Sequence, residues 1–336
     1  MKIIIKIGIG FLVLVAIGLG AFYFVLNSTL LTPFAVRNII HSSFRDVKVQ
    51  SFECSHQRFY FPARLILEDV KLSIESSGQK QAISVKIIEL KQMSGFLKPK
   101  KEIFCSLKEA DISFFPATIQ GLSLDVSFGV QGIDLEQISG YFKAQQLLAY
   151  DYSAQNIRSH FKGDNKKVHL NDLSAQFYKG DIKGEIFLDY ASLLPYSARI
   201  NLENVDLELI ARSHPDIFSQ VKGHLSGVVN MAGNIQKIRQ LEADLSVFKD
   251  ARIKASLLDF IADKLPYNSV QKRDLEALSS AGGDVGLDKL SVYFNTLSEK
   301  NLQGVVNLAS QELNLDINLT IDVNLDNAFG RLLKKF

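Results

Sequence analysis

A mainly β protein with one transmembrane helix in front of it is what this 336-residue sequence predicts. Three observations carry that expectation. Residues 7–26, "IGIGFLVLVAIGLGAFYFVL", contain no charge. The stretch "LNLDINLTIDVNL", Leu313 to Leu325, alternates apolar and polar residues without an error, as a strand with one greasy face does. The same habit recurs along the chain, with links short enough for antiparallel neighbours and little helical periodicity between them.

The anchor comes first. Twenty apolar residues at about 1.5 Å each span about 30 Å, the hydrocarbon thickness of a bilayer. Lys2 and Lys6 precede them, and residues 27–34 carry no charge. The positive-inside rule then gives a cytoplasmic tail over 1–6, a transmembrane anchor over 7–26 and an exported remainder. The small residues of "GLGA" lie inside the apolar run and not behind it, which argues against a cleaved signal peptide.

Residues 27–45 read as a juxtamembrane amphipathic helix. Thr32 can cap it, Pro33 suits its first turn, and Val36, Ile39, Ile40 and Phe44 share one face. Such a helix could steer the exported part onto the membrane or act as a packing cap.

From residue 46 to 336 the period is that of strands. In "ARLILEDVKLSI", Leu65 and Leu67 and then Val70, Leu72 and Ile74 alternate, with a phase slip near Glu68–Asp69. "AISVKIIEL", "ADISFF" and "GLSLDVSFGV" repeat the pattern. A helical break is expected around "DLEQISGYFKAQQLLAY". "VHLNDLSAQFY", "GDIKGEIFLDY" and "YSARINLENVDL" follow as strands, then a short segment near "LIARSHPDIFSQV". "GHLSGVVNMAG" and "QLEADLSVF" are strands, "ASLLDFIADKL" is a helix, and "DVGLDKLSVYF", "NLQGVVNLAS" and the Leu313–Leu325 stretch close the chain.

About a dozen strands, greasy on one face, with few helices to cover them, have two ways to hide those faces. One is a sheet packed on a sheet; the other is a single curled sheet whose concave side holds something apolar. A sandwich of strands this long is possible; the pattern favours the curled sheet. Its trough would be lined by Ile182, Ile186, Leu188, Leu225, Val229, Met231, Leu245, Val306, Leu308, Leu315, Ile317, Leu319 and Ile321.

Composition narrows the function. Hydrophobic residues at 47% and charged residues at 22% suit a folded chain and argue against disorder. Of the 38 Lys and Arg, two precede the anchor, leaving 38 − 2 = 36 basic residues against 36 acidic ones. With no basic cluster, nucleic acid is not an expected partner. No zinc spacing, no GxSxG elbow and no GxxxxGK loop occur, and "GGDVG" at Gly282–Gly286 leads into a strand rather than a helix. The expectation is no catalytic residue, no metal and no cofactor. The basic loop "KPKKE", Lys98 to Glu102, reads as a solvated turn that could touch lipid headgroups. Cys54 and Cys105 could form a disulfide in an oxidising compartment, or stay as two half-buried thiols.

"LSAQFYKGDIKGEIFLDYASLLPYSARINLENVDLELI", Leu173 to Ile210, resembles the AsmA family of bacterial envelope proteins, in which a strand ending in Tyr–X–Gly precedes glycine-containing strands and a "vdl" segment. "HLSGVVNMAGNIQKIRQLEADLSV" and "LSVYFNTLSEKNLQGVVNLASQELNLDINLTI" are similar to the family's later repeats, and "AVRNIIHSSFRDVKVQSF" with "LILEDVKLSI" to its opening. The resemblance, shared with TamB-like and chorein-type relatives, implies a repeating β-groove that carries phospholipid acyl chains. It implies an inner-membrane protein with its bulk in the periplasm, which assists phospholipid transport or outer-membrane assembly, with no catalytic residue to carry over. Larger relatives are much longer. A dozen strands about 4.8 Å apart make a trough of only about 60 Å, so a partial conduit working with envelope partners is expected. A non-transporting envelope scaffold with a filled β-sandwich core is the alternative.

Overall fold

The structure, a computed structural model, describes residues 47–324, apart from short stretches at 61–62, 77–78, 94–99, 115–116, 132–133, 150–151, 190–194, 214–218, 235–236, 264, 281, 298–300 and 311–314. The expected tail, anchor and juxtamembrane helix lie outside the described residues. No helix among the described residues is long and apolar enough to cross a membrane.

Among the described residues, seventeen strands are joined in one large sheet, mainly antiparallel, with three short helices. The chain divides into two compact units. One comprises the chain up to Ala175 with Glu185–Pro195 and Ile235–Lys237; the other comprises Gln176–Gly184, Tyr196–Asn234 and the chain from Ile238 on.

In the first unit, β1 (Val47–Glu53) and β2 (His56–Tyr60) pair with the two halves of β3 (Arg64–Ser76). Antiparallel neighbours then follow in chain order: β4 (Gln79–Gln92), β5 (Lys100–Phe114), β6 (Ala117–Gln131), β7 (Asp134–Ala149) and β8 (Tyr152–Gly163). β9 (Lys167–Phe177) comes next. Strands β3 to β7 are 13 to 16 residues long, more than twice the common length.

A row of kinks crosses these strands. Asp69 in β3, Glu109 in β5, Gly121 in β6, Asn156 in β8 and Asp172 in β9 all have positive φ, between 51° and 61°. Register places the first four side by side, with Glu109 and Gly121 flanking the pair Ala110↔Leu122 and Gln145 of β7 opposite Asn156; Asp172 lies further along, near His160. Asp69 sits between the pairs Glu68↔Ile87 and Val70↔Val85, opposite Lys86; Glu109 sits between Ile87↔Lys108 and Val85↔Ala110, again opposite Lys86. Lys86 Nζ and Glu109 Oε2 are 2.8 Å apart, and the Gly121 amide donates to Asp111 Oδ1 at 2.8 Å. Asn and Asp tolerate this conformation because their side chains bond locally, and glycine has no Cβ to clash. A bulge adds one residue and bends its strand.

The extra residue also resets the alternation, so both halves of each strand keep their apolar side chains on one face. In β3 these are Leu65 and Leu67 before Asp69, and Val70, Leu72 and Ile74 after it. In β5, Cys105 and Leu107 precede the kink and Ala110 and Ile112 follow. The face is sealed: Leu65 and Ile74 are 0% exposed, and one continuous apolar cluster runs from Phe52 to Phe161.

This row corrects one expectation. Residues 134–149, expected as a helical break, are strand β7, paired along both edges with β6 and β8. Ile138, Phe142 and Ala144 point inward before the row, and Leu147 and Ala149 pack against the same cluster after it. A period of two interrupted by one slip mimics a period near 3.6.

The second unit holds the start of β10 (Gly180–Asp189), β11 (Tyr196–Asp206), α1 (Leu207–Ser213), β12 (Val221–Asn234) and most of β13 (Lys237–Lys254). It continues with α2 (Ala255–Ala262), α3 (Val270–Ser280), β14 (Asp284–Gly286), β15 (Lys289–Thr296), β16 (Asn301–Ser310) and β17 (Leu315–Asn324). The expected helix "ASLLDFIADKL" is α2; α3 was not legible in the sequence. Helix α1 starts where Asp206 Oδ1 accepts from the amides of Glu208 and Leu209, and buries Leu207 and Ile210.

Candidate functional site

The apolar phase of the second unit is built by register. β11 sets Ala198, Ile200 and Leu202 opposite Met231, Val229 and Gly227 of β12. On the other side, Leu245 of β13 faces Val292 of β15, which faces Val306 of β16, which faces Leu319 of β17. The next row is Val247, Leu290, Leu308 and Ile317.

These rows differ from the first unit in how far they are closed. Ile200, Leu202, Leu225, Val229, Met231, Leu245, Val292 and Val306 are half-buried, whereas Val247, Leu290 and Leu308 are buried, Leu308 to 1%. Helices α1, α2 and α3 bury their own apolar side chains in this unit: Ile210, Leu258, Ala262, Leu275 and Leu278. Val205, Ala251 and Ile253 at the helix-bearing ends of β11 and β13 are buried as well.

The predicted lining residues fall into three groups. Ile182, Ile186 and Leu188 of β10, with Leu225, Val229, Met231, Leu245 and Val306, are half-buried on the apolar phase of their strands. Leu308 is closed off and could line nothing. Leu315, Ile317, Leu319 and Ile321 have a described register, opposite Ser310, Leu308, Val306 and Gly304. Ile200, Leu202, Val292 and Phe294 belong with the first group and were not singled out from the sequence, although "YSARINLENVDL" and "LSVYF" carry the same alternation.

Glycine shapes the floor of this face. Gly227 has φ +154°, and a Cβ there would stand 2.0 Å from the Asp244 carbonyl oxygen. Only glycine lets the two backbones approach so closely, and it leaves the apolar phase without a side chain at that point.

Several charged side chains of this unit pair on the opposite phase. Lys183 pairs with Glu203 at 2.7 Å, Lys222 pairs with Asp284, and Tyr293 Oη donates to Glu242 Oε1 at 3.3 Å. The bond from Lys222 holds the Asp284 carboxyl below the usual carboxylate range. The described apolar positions of β11 and β12 carry no carboxylate, amine or imidazole; Tyr196, at one end, has its phenol pushed upward by burial. This face can bind by contact and exclusion of water.

The described histidines stand apart. His169 meets Glu185 at 3.2 Å, His160 lies 4.0 Å from Asp172, and His224 faces Asp206 across β11 and β12. Among the described residues, no group of three or more His, Cys, Asp or Glu could hold a metal ion.

Both cysteines are free, so the bridge considered from the sequence is not formed. Cys54 lies between β1 and β2 at the edge of β3, where its Sγ donates to the Glu68 carbonyl, whereas Cys105 lies in β5, with β3 and β4 between. Three strand spacings are about 14 Å, beyond the roughly 7 Å between Cα atoms that a disulfide allows.

Comparison with family models, curated proteins and solved structures finds no match for the chain.

Proposed function

We propose that the half-buried apolar face holds the acyl chains of phospholipids, and that the protein assists their movement or deposition in a bacterial envelope. The observation that carries this reading is the contrast in closure. An apolar side chain left half-exposed forgoes part of its roughly 25 cal/mol per Å² of burial, and a contiguous set of them marks a surface awaiting an apolar partner. Ile200, Leu202, Val229 and Met231 form such a set across two paired strands, with a side-chain-free position at Gly227.

The positive-φ residues support a curled sheet, because they interrupt β3, β5, β6 and β8 and a bulge bends the strand that carries it. The resemblance to the AsmA family supports the lipid and the setting: an inner-membrane anchor over 7–26, N-terminus in the cytoplasm, with the bulk in the periplasm and other envelope proteins as partners. The reading assigns no catalytic residue and no cofactor.

The sealed cluster of the first unit favours a second reading, a non-transporting envelope scaffold. A filled core has no room for cargo.

A photo-activatable side chain placed at Val229 in the full chain, in its native membrane, is the test. Lipid adducts are expected at Val229 and at background level at buried Leu308 and exposed Ser246. Equal labelling at all three positions would favour the scaffold.

A further inference from the structure

We propose that the α2–α3 hairpin is a bilayer-docking element that seats Phe260, Tyr267 and Val270 in the interfacial layer of a membrane. The hairpin has two apolar sides. One side is spent inside the unit, where Leu258, Ala262, Leu275 and Leu278 are buried. Three large side chains remain outside: Phe260 is 60% exposed, Tyr267 85% and Val270 59%. All three lie within eleven residues, around the connection between the helices.

Their exposure is held by the backbone. The Ser269 amide donates to the Pro266 carbonyl at 3.0 Å, closing a turn with Tyr267 and Asn268 at its tip. The Ser269 hydroxyl oxygen accepts from the Lys272 amide at 3.2 Å and caps α3. Lys272 Nζ lies 5.6 Å from the Tyr267 ring centroid, over its face, and also meets Glu276 Oε1 at 3.7 Å. An exposed aromatic ring in contact with an ammonium group suits the membrane interface, where such rings place an apolar body and a polar edge at different depths.

Charge chooses the occupant. From Lys254 to Glu276 the sequence carries Lys254, Lys264, Lys272 and Arg273 against Asp259, Asp263, Asp274 and Glu276, which is 4 − 4 = 0. A balanced surface gains nothing from a polyanion or from a strongly acidic or basic protein. A zwitterionic bilayer asks for apolar insertion without net charge, and that is what the tip offers. The purpose of the contact, bringing the half-buried face to a lipid source, rests on the acyl-chain reading; the contact itself does not.

The test uses the full chain with Cys54→Ala and Cys105→Ala, and an environment-sensitive fluorophore on Asn268→Cys. It is reconstituted in phosphatidylcholine vesicles containing lipid spin-labelled on its acyl chains. Quenching at position 268 is expected to exceed that at exposed Asn318→Cys in β17 by roughly fivefold, and to fall to that level when Phe260→Ser and Tyr267→Ser are added. Both serines replace exposed side chains, and an unchanged circular dichroism spectrum would show that the sheet persists. Equal quenching at 268 and 318, quenching that survives the two serines, or cross-linking from 268 to a second copy in place of quenching would each overturn the proposal. Lipid extracted from the same variants separates the two readings: a docked hairpin on a protein without cargo lipid supports the docking and removes the acyl-chain function.

Discussion

Cys105 sits in β5 between Leu90 and Val126 on the sealed face, where burial pushes its thiol up to about 12 from an ordinary 9.0. The sign of the consequence follows. Between those values the unfolded chain has released its proton and the folded chain still holds it, so stability falls as pH rises. The contribution is intact below pH 9 and is lost at roughly 1.4 kcal/mol per pH unit toward 12. Urea denaturation at pH 8 and pH 10.5 should therefore show the native chain losing more stability than Cys105→Ala over the same interval. Equal losses would place the thiol in contact with water. The sequence showed a cysteine on an apolar phase; it did not show that β3 and β4 separate it from Cys54.

At the scale of a strand, the decisive feature is one extra residue. The slip at Glu68–Asp69 was legible because apolar residues on both sides of it were strong. The slip opposite Asn156, in "KAQQLLAY" of β7, was not legible: Gln145 and Gln146 sit between Ala144 and Leu147, and the pattern reads as a helix. Strand pairing on both edges overrides that local preference. Deleting Asp69 should turn Val70, Leu72 and Ile74 to the solvent side or break the pairing of β3 with β4, with loss of the cooperative unfolding transition. Substitution separates conformation from length. Asp69→Gly should stay within about 1 kcal/mol of the native chain, and Asp69→Val, β-branched at positive φ, should lose about 1–2 kcal/mol or more in urea denaturation. A deletion variant that unfolds like the native chain would show that the kink does not set the register.

At the scale of the molecule, the same alternation yields two outcomes, and sequence could not separate them. "RLILEDVKLSI" and "HLSGVVNMAG" look equally amphipathic, yet Leu65 is sealed and Val229 is half-open. Closure depends on what lies across the face, which a strand's own pattern does not encode. Val306 and Leu308, two residues apart on one strand, make the same point at shorter range.

A carboxylate tests both sites. At Leu65 it would be buried without a partner, a cost of several kcal/mol against a typical total of about 5–15 kcal/mol, so Leu65→Glu should unfold its unit. At Val229 the same group can reach water, so Val229→Glu should keep the native circular dichroism spectrum. It should also lose most co-purifying lipid, because an ionised group now stands where an acyl chain would lie. Ser246→Glu, on the exposed phase of β13, should alter neither property. Circular dichroism and mass spectrometry of extracted lipid on the three variants decide the matter. If Val229→Glu unfolds as Leu65→Glu does, the second unit is as filled as the first and the scaffold reading holds. If it folds and keeps its lipid, the acyl chains lie on some other face.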